Sequence, residues 1–353
     1  MHRQRSAKDT IVQLLNIDLP IIQAPMAGVQ DAELAAAVSN AGGLGSLPCA
    51  MLDTVALEAE LQRLTVLTDK PFNVNFFCHQ TPKVSSKQLE TWYQSLSGYF
   101  RELGLEAPAA GSGVAREPFG DAALSVLESF KPAVVSFHFG LPERALLDQL
   151  KSWGAQILST ATTVAEARWL ADHGADAVIA QGLEAGGHRG SFLTRDMTTQ
   201  TGTIALVPRI CAAISVPVIA AGGIASPEGV SAAMTLGAAG VQIGTAFLLC
   251  PEAKTTALHR AALKSDASQH TALTNVFTGR PARSIVNRLV REVGPMASTV
   301  APFPAAAGPI SLLRAAAEAN GSHDFTPLWS GQNTTGCREI PAAELLQLFT
   351  SQR

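Results

Sequence analysis

The chain has 353 residues, 16% of them charged, and a formal net charge of −3 at pH 7. This length suits one large α/β domain with an insertion or appendage. The small net charge excludes a strongly electrostatic partner, so we expect neither nucleic acid nor a membrane surface as ligand. No apolar run approaches the ~18–20 residues of a membrane span. The N-terminus also lacks the apolar segment of a signal peptide, and we therefore expect a cytoplasmic protein.

The cysteines are odd in number and scattered, with no CxxC pair, and they stand at Cys49, Cys78, Cys211, Cys250 and Cys337. This pattern predicts free thiols in a reducing compartment rather than a disulfide framework. The dipeptide Cys78-His79 has no further ligands at metal spacing, so we predict no metal site.

Short apolar runs alternate with amphipathic stretches through the first two-thirds of the chain. The predicted strands are, in chain order, 20–26, 43–47, 72–77, 133–137, 156–159, 177–180, 216–220 and 240–244. The predicted helices include 31–41, 54–67, 143–153, 164–173 and 227–236. Repeated strand–helix–strand units favour parallel pairing with right-handed crossovers. Eight such strands predict an α/β fold of the (β/α)₈ TIM-barrel type rather than an open sheet.

Two regions do not fit the barrel repeat. The segment at about 85–115 adds a helix and a Gly/Ala/Pro-rich loop between the third and fourth predicted strands. From residue 251 onward the pattern is helical and loop-like. We therefore predict a barrel domain over 1–250 with an insertion, and a small helical subdomain over 251–353 that covers the barrel mouth.

The carboxyl ends of the predicted strands carry polar residues and glycines. In a TIM barrel these ends meet at one rim, where the active site lies. A polar residue in an otherwise apolar strand costs free energy unless it has a partner. The rim residues therefore predict a ligand site, and they are Met26, Asn75, His138, Thr160, Gln181, Gly222, Gly223, Gly244 and Thr245.

Three groups of rim residues indicate the kind of ligand. Gly222-Gly223 and the run Gln242-Ile243-Gly244-Thr245 offer backbone N–H groups for a phosphate, although tight turns alone would also explain the glycines. The amides of Asn75 and Gln181 suit a heterocycle with alternating N–H and C=O groups, such as an isoalloxazine edge; alternatively, they bond neighbouring loops. The turn Ala24-Pro25-Met26 could lie against a flat ring.

Two histidines are candidates for catalysis. His188 stands in the glycine-rich run 181–190, which contains Gly186 and follows a predicted buried strand. Its ordinary pKa lies near 6.5, so an imidazole there can take up a proton near neutral pH. His138, in Ser-Phe-His-Phe-Gly, would lie across the barrel mouth, either in contact with substrate or as a satisfied strand-end residue.

Five motifs occur here in the order seen in a known family: Gln-Ala-Pro-Met-Ala-Gly, Phe-Asn-Val-Asn-Phe-Phe, Gln-Gly-Leu-Glu-Ala-Gly-Gly-His-Arg-Gly, Ala-Ala-Gly-Gly-Ile and Gln-Ile-Gly-Thr-Ala-Phe. The chain resembles the nitronate monooxygenases, formerly called 2-nitropropane dioxygenases, of the first class. The resemblance implies that FMN binds at Asn75, Gln181, Gly186, Gly223 and residues 242–245. It also implies that His188 is the base or the nitronate-binding group.

The resemblance implies oxidation of an alkyl nitronate, such as propionate 3-nitronate, by O₂ to a carbonyl compound and nitrite. Members of the family carry tyrosines near the substrate in the segment that matches 301–309. Here that segment has none, Phe303 is its aromatic residue, and the chain contains only Tyr93 and Tyr99. The substrate is therefore open. We expect small-molecule partners only, and a monomer or a homodimer.

Three alternatives stay open from the sequence. The first is an NAD(P)H-dependent flavin reductase that acts on quinones or enoyl thioesters; no GxGxxG fingerprint is present, but such a barrel needs none. The second is a flavin-binding module without turnover. The third is a phosphosugar-binding barrel without flavin.

Overall fold

The structure is a computed structural model that describes residues 7–106 and 117–351. Its strands are β1 (Ile21–Gln23), β2 (Gly45–Pro48), β3 (Phe72–Phe77), β4 (Val134–His138), β5 (Gln156–Ala161), β6 (Ala177–Gln181), β7 (Gly187–His188), β8 (Val218–Ala221), β9 (Gly240–Ile243), β10 (Thr271–Thr274) and β11 (Ala282–Ile285). Its helices are α1 (Ala7–Leu15), α2 (Ala32–Asn40), α3 (Thr54–Leu67), α4 (Ser86–Glu102), α5 (Asp121–Phe130), α6 (Arg144–Ser152), α7 (Val164–Asp172), α8 (Thr203–Cys211), α9 (Pro227–Thr235), α10 (Ala257–Lys264), α11 (Arg288–Val293), α12 (Ala307–Ala319) and α13 (Ala342–Thr350).

Eight parallel strands form the barrel in the order β1-β9-β8-β6-β5-β4-β3-β2. The ring closes between β1 and β2 through a parallel bridge from Ile22 to Leu44. There the N–H of Gln23 donates to the carbonyl of Leu44 at 2.9 Å. The predicted (β/α)₈ barrel is thus confirmed.

Local sequence explains where the barrel elements begin and end. β8 begins at Val218 rather than at the predicted residue 216, because Pro217 has no N–H for the sheet; its carbonyl still accepts from Val178 at 2.9 Å. The side chain of Ser226 caps α9 by accepting from the Gly229 N–H, and Pro227 occupies the first turn, as the sequence predicts.

The barrel core fills the end opposite the predicted rim. Buried side chains from successive strands meet there, among them Ile22, Val134 and Ile219. Helix α1 packs on the same cluster through Ile11 and Leu15. Because this end is occupied by apolar side chains, a ligand site is left to the opposite end, where the strands terminate.

Helix α13 completes the helical ring. It packs between α2 and α9, and its residues Leu345, Leu346 and Phe349 join the buried cluster outside the sheet. The predicted boundary at residue 250 assigned this last segment to the mouth-covering subdomain. The structure instead places the eighth helix of the barrel at the end of the chain.

The remaining inserted parts form a lid over the barrel mouth. Helix α4, from the predicted insertion, shares a buried cluster with the tail through Trp92, Phe100, Phe277 and Leu313. The Trp92 indole N–H donates to the carbonyl of Ala306 at 3.1 Å. The predicted insertion and tail subdomain therefore pack as one lid; residues 107–115 of that prediction lie outside the described residues.

The lid also contains a small sheet that the sequence did not indicate, since the tail reads as helical. The antiparallel order is β10-β11-β7, so a strand from the β6–α8 connection joins two strands of the tail. Strand β11 is buried along its length and includes Arg283. A buried arginine hides the alternation of apolar and polar residues by which a strand is recognised.

Among the described residues, no helix is long and apolar enough to cross a membrane. All five cysteines are free, as predicted. Within residues 7–106 and 117–351, no group of three or more His, Cys, Asp or Glu side chains is placed to hold a metal ion.

Candidate functional site

A cavity of about 300 Å³ lies between the barrel rim and the lid. Every residue that the sequence placed at the site lines it, namely Ala24, Pro25, Met26, Asn75, His138, Gln181, Gly186, His188, Gly222, Gly223, Gln242, Ile243, Gly244 and Thr245. These residues come from separate strand ends, and the parallel barrel brings them to one edge. Their individual roles are taken up below as proposals.

The backbone of His188 is fixed from two sides. Its carbonyl accepts from the Gln181 side-chain amide at 2.9 Å and lies 3.1 Å from His138 Nε2. His188 also pairs with Ala282 of the lid strand β11. The other end of the Gln181 amide, Oε1, accepts from Gly190 N–H at 2.8 Å. The Gln181 amide thus bonds the neighbouring loop, as one of the two sequence interpretations stated.

The imidazole of His188 lies against the lid. Its Nε2 is 2.9 Å from the hydroxyl oxygen of Thr278. Four aromatic rings surround it, with ring-centre distances of 5.5 Å to Trp329, 5.7 Å to Phe303, 6.0 Å to Phe77 and 6.1 Å to Phe139. Apolar rings on several sides limit the access of water to this side chain.

His138 is engaged through both ring nitrogens. Because the His188 carbonyl can only accept, Nε2 of His138 carries the proton, and Nδ1 accepts from the Thr160 hydroxyl at 3.1 Å. Burial lowers the pKa of His138 to about 3; the charges of Arg280 and Arg189 act in the same direction, and the bond to the His188 carbonyl opposes them. A neutral His138 therefore orients the His188 backbone.

Two glycine contacts bring the barrel and the lid together. A Cβ on Gly186 would lie 2.6 Å from the Gly331 nitrogen, so only glycine allows this approach. On the neighbouring loop, Gly223 has a φ of +73°, a backbone conformation that favours glycine. The adjacent Glu184 accepts from the Thr203 N–H at 2.9 Å and hydroxyl at 2.8 Å, so it braces the loop.

Buried arginines support the same loop from behind. Arg189 donates to the carbonyls of Gln181 and Gly182, both at 2.7 Å. Arg283 donates to the carbonyl of Leu183 at 2.9 and 3.0 Å. Burial lowers the pKa of Arg189 to about 10, which leaves it charged at neutral pH. Three successive carbonyls are thereby held away from the cavity.

The amides that face the cavity differ in how they are satisfied. Asn75 donates to the Ser136 hydroxyl oxygen at 2.9 Å. Gln242, at the end of β9, has a buried Oε1 atom with no hydrogen-bond partner within the described residues. A buried acceptor of this kind costs free energy unless a donor reaches it, which points to a ligand N–H group.

Among the cavity-lining residues that the sequence did not indicate, four polar, glycine or aromatic residues come from the lid: Thr278, Trp329, Gly331 and Asn333. The Gly331 N–H donates to the Thr245 hydroxyl at 2.9 Å. The Asn333 side-chain amide donates to the carbonyl of Gly223 at 2.9 Å. The one sequence signal for them is the run Ser-Gly-Gln-Asn at 330–333, where a glycine stands among polar residues as it does at the strand ends.

A closed barrel of eight parallel strands, with a lid-covered cavity at their carboxyl ends, defines a TIM barrel of the enzyme type. The sequence profile of the nitronate monooxygenases matches residues 8–352. The chain therefore belongs to the nitronate monooxygenase family, a family of oxidoreductases, and the resemblance found from its motifs is confirmed.

Individual relatives agree with this assignment. A nitronate monooxygenase of Pseudomonas aeruginosa is 43% identical over 98% of this chain and 99% of its own length. A nitronate monooxygenase of Paraburkholderia phytofirmans is 40% identical, with 97% of this chain and 94% of its own length covered. Both matches extend through the barrel and the lid.

Solved structures with the same arrangement include a nitroalkane oxidase from Streptomyces ansochromogenes, with a TM-score of 0.88, 39% identity and 96% of each chain covered. FabK from Thermotoga maritima aligns with a TM-score of 0.69 and 27% identity, over 98% of this chain and 95% of its own. The fold of barrel and lid is thus shared beyond one enzyme.

Proposed function

We propose that this protein is an FMN-dependent enzyme that oxidises alkyl nitronates, propionate 3-nitronate among them, with O₂ to a carbonyl compound and nitrite. The observation that carries the proposal is the placement of His188. Its backbone is fixed by Gln181 and His138, and its imidazole lines a cavity whose opposite wall consists of glycines and amides. Membership of the nitronate monooxygenase family supports the same reaction.

The residues present fit a flavin. The buried Oε1 of Gln242 lacks a donor that a heterocyclic N–H would supply. The cavity, which Gly186 and the glycine loop at Gly223 line, leaves room for a flat ring and a phosphate. In this proposal Asn75, Gln181 and Gln242 would hold the ring, and residues 24–26 would line one face. The backbone at 222–223 and 244–245 would hold the phosphate.

Bound FMN would supply the electron acceptor for the nitronate and pass the electrons to O₂. The protein's own part is positioning and proton handling. With a neutral nitroalkane, the neutral His188 takes the α-proton; with a nitronate already formed, the protonated imidazole donates a hydrogen bond to the anion. Phe77, Phe303 and Trp329 exclude water from this place, and His138 keeps the His188 backbone still.

The lid suits a substrate with an apolar substituent. Neither tyrosine of the chain lines the cavity: Tyr93 is buried in α4, and Tyr99 donates to Glu292 on the outer surface. The rings beside His188 therefore offer contact area without hydroxyl groups. We propose that alkyl nitronates bind here through apolar contact with their substituents.

The test is oxygen uptake together with nitrite release by the purified yellow protein, with alkyl nitronates and propionate 3-nitronate, with and without NADH. We expect both signals without NADH. Replacement of His188 by Ala should lower turnover of a neutral nitroalkane by about 10²–10⁴-fold. Turnover of the preformed nitronate should fall much less if His188 is the base. The exposed His173, changed to Ala, serves as the control and should leave both rates unchanged.

Other outcomes would assign a different function. Prompt anaerobic bleaching of the flavin by NADH or NADPH, with no nitrite from any nitronate, would establish a reductase instead. Bound FMN without oxygen uptake on any nitronate would identify a flavin-binding module without turnover. If His188→Ala lowers the turnover of nitroalkane and of nitronate equally, the proposed reaction stands, but His188 is a binding group rather than a base.

A further inference from the structure

The residue that touches the His188 imidazole from the lid, Thr278, is held in a rigid turn. Its side chain is buried, with 5% of the residue exposed. The N–H of Gly279 donates to the carbonyl of Asn275 at 2.8 Å, and the Asn275 side chain bonds the backbone of Ala297 through both its amide atoms at 2.9 and 3.0 Å. Gly279 has a φ of +87°, and a Cβ there would lie 2.4 Å from the carbonyl oxygen of Ala301. The position of the Thr278 hydroxyl is thus set by its own segment and not by His188.

A count of protons gives the direction of the bond between Thr278 and His188. The hydroxyl oxygen lies 2.9 Å from His188 Nε2, and 3.4 Å from both the carbonyl oxygen and the N–H nitrogen of Arg280. A hydroxyl has one proton and two lone pairs. The Arg280 carbonyl can only accept and the Arg280 N–H can only donate. All three contacts are satisfied together when Nε2 of His188 donates to the hydroxyl and the hydroxyl donates to the carbonyl.

We propose that Thr278 is a positioning residue that holds His188 in the tautomer with its proton on Nε2. Nδ1 then carries the lone pair and is the nitrogen that receives the substrate proton. This inference rests on the proposed function of His188 as the base. It adds the identity of the basic nitrogen and the residue that selects it.

The assignment has a direct physical consequence. Without the hydroxyl, Nε2 faces an apolar side chain, and the preference between the two tautomers is lost together with one restraint on the ring. The fraction of His188 with a lone pair on Nδ1 falls, and so does the rate of proton abstraction. We expect flavin binding to stay unchanged, because the residues proposed to hold the flavin belong to the barrel wall and do not include Thr278.

The experiment compares Thr278→Val, which keeps the shape and removes the hydroxyl, with Thr278→Ser, which keeps the hydroxyl. A matched control is Thr274→Val: Thr274 is also a buried lid threonine, and its hydroxyl accepts from the nearby Val276 N–H at 3.2 Å. We expect kcat for a neutral nitroalkane to fall about tenfold in Thr278→Val, the rate equivalent of one ordinary hydrogen bond. KM should stay close to that of the parent protein. Thr278→Ser and Thr274→Val should keep the parent kcat.

The second readout is the ¹⁵N spectrum of the flavin-loaded protein with labelled histidines, in which the signals lost in His188→Ala identify that ring. We expect a protonated Nε2 and an unprotonated Nδ1 in the parent protein and in Thr278→Ser, and a mixture in Thr278→Val. An Nδ1–H tautomer in the parent protein overturns the proposal. So does an unchanged kcat in Thr278→Val, or an equal fall in Thr274→Val, which would reveal general loosening of the lid.

The proposed function and the role of Thr278 can be disproved separately. If the parent protein releases no nitrite from any nitronate, the proposed function is wrong. The ¹⁵N spectrum still decides whether Thr278 selects the His188 tautomer.

Discussion

The two walls of the cavity are built in different ways. The barrel wall consists of residues at the ends of β3, β6, β8 and β9, and it offers glycines and side-chain amides. The lid wall consists of residues brought together from separate segments, among them Thr278, Trp329, Gly331 and Asn333. His188 belongs to the barrel by its connection and to the lid by its pairing with β11. If the proposed function holds, the barrel wall would bind the cofactor, whereas the lid wall would position the imidazole of His188.

The largest change in stability that we predict follows the replacement of Arg189, which supports the barrel wall from the side away from the cavity. Replacing it by Met leaves the buried carbonyls of Gln181 and Gly182 without their donors, at a cost of about 2–4 kcal/mol in the free energy of unfolding. Urea unfolding measures this. The matched change Arg144→Met, on the exposed surface of α6, should stay within about 0.5 kcal/mol. An equally small loss of stability in Arg189→Met would mean that the barrel wall does not depend on the hydrogen bonds from Arg189.

An intermediate effect is expected where the two walls touch. Gly186→Ala places a Cβ 2.6 Å from the Gly331 nitrogen, so the lid must shift. Overpacking of this kind costs about 1–3 kcal/mol, and the flavin content of the purified protein should fall with it. Thermal unfolding and absorbance measure the two effects.

The control for this contact is Gly98→Ala in the middle of α4, where a Cβ meets nothing within 4 Å. Alanine there should gain about 0.5–1 kcal/mol from helix propensity. Full flavin content in Gly186→Ala would show that flavin binding by the barrel wall does not depend on its close contact with the lid wall.

The smallest effect concerns pH. Burial lowers the pKa of His138 to about 3 and that of His259 to about 4, whereas both lie near 6.5 in the unfolded chain. The unfolded state therefore binds more protons as the pH falls below 6.5, and stability present above that pH is lost towards pH 4. His138→Gln removes one titrating group, so its slope of stability against pH should be shallower by up to about 1.4 kcal/mol per pH unit.

Denaturant unfolding at a series of pH values between 4 and 7 checks this, with His173→Gln, at the exposed residue that follows α7, as control. We expect the control to keep the parent slope. A parent slope in His138→Gln as well would show that His138 is already charged in the folded protein, and that it does not orient His188 as a neutral ring.

The barrel wall was predictable from the sequence because each of its residues stands at the end of a strand that the local sequence pattern identifies. Parallel strands end at one edge, so Asn75, Gln181 and Gln242 could be placed together from strand order alone. The glycines of the rim were visible because they interrupt apolar runs. All the predicted site residues do line one cavity, although the part that each plays stays a prediction.

The lid wall was not predictable because its residues meet only through tertiary packing. Thr278 lies ninety positions from the histidine that it contacts. No periodic pattern marks it, and the hydroxyl of a threonine is as common in a turn as in a site. The lid strands β10 and β11 have only four residues each, and β11 includes the buried Arg283, so strand propensity gave no basis for recognising them.

The position of α13 has one more consequence. Because the eighth helix of the barrel follows the lid in the chain, the larger part of the lid, residues 251–340, is an insertion whose two ends are both anchored on the barrel, near Cys250 and Pro341. A segment joined to the barrel at both ends loses less conformational entropy when it packs on the barrel than a tail joined at one end. The folded barrel already holds both ends of the segment in place. A deletion that joins residue 250 to residue 341 would keep the barrel complete, whereas a stop codon at 251 would remove one of its eight helices.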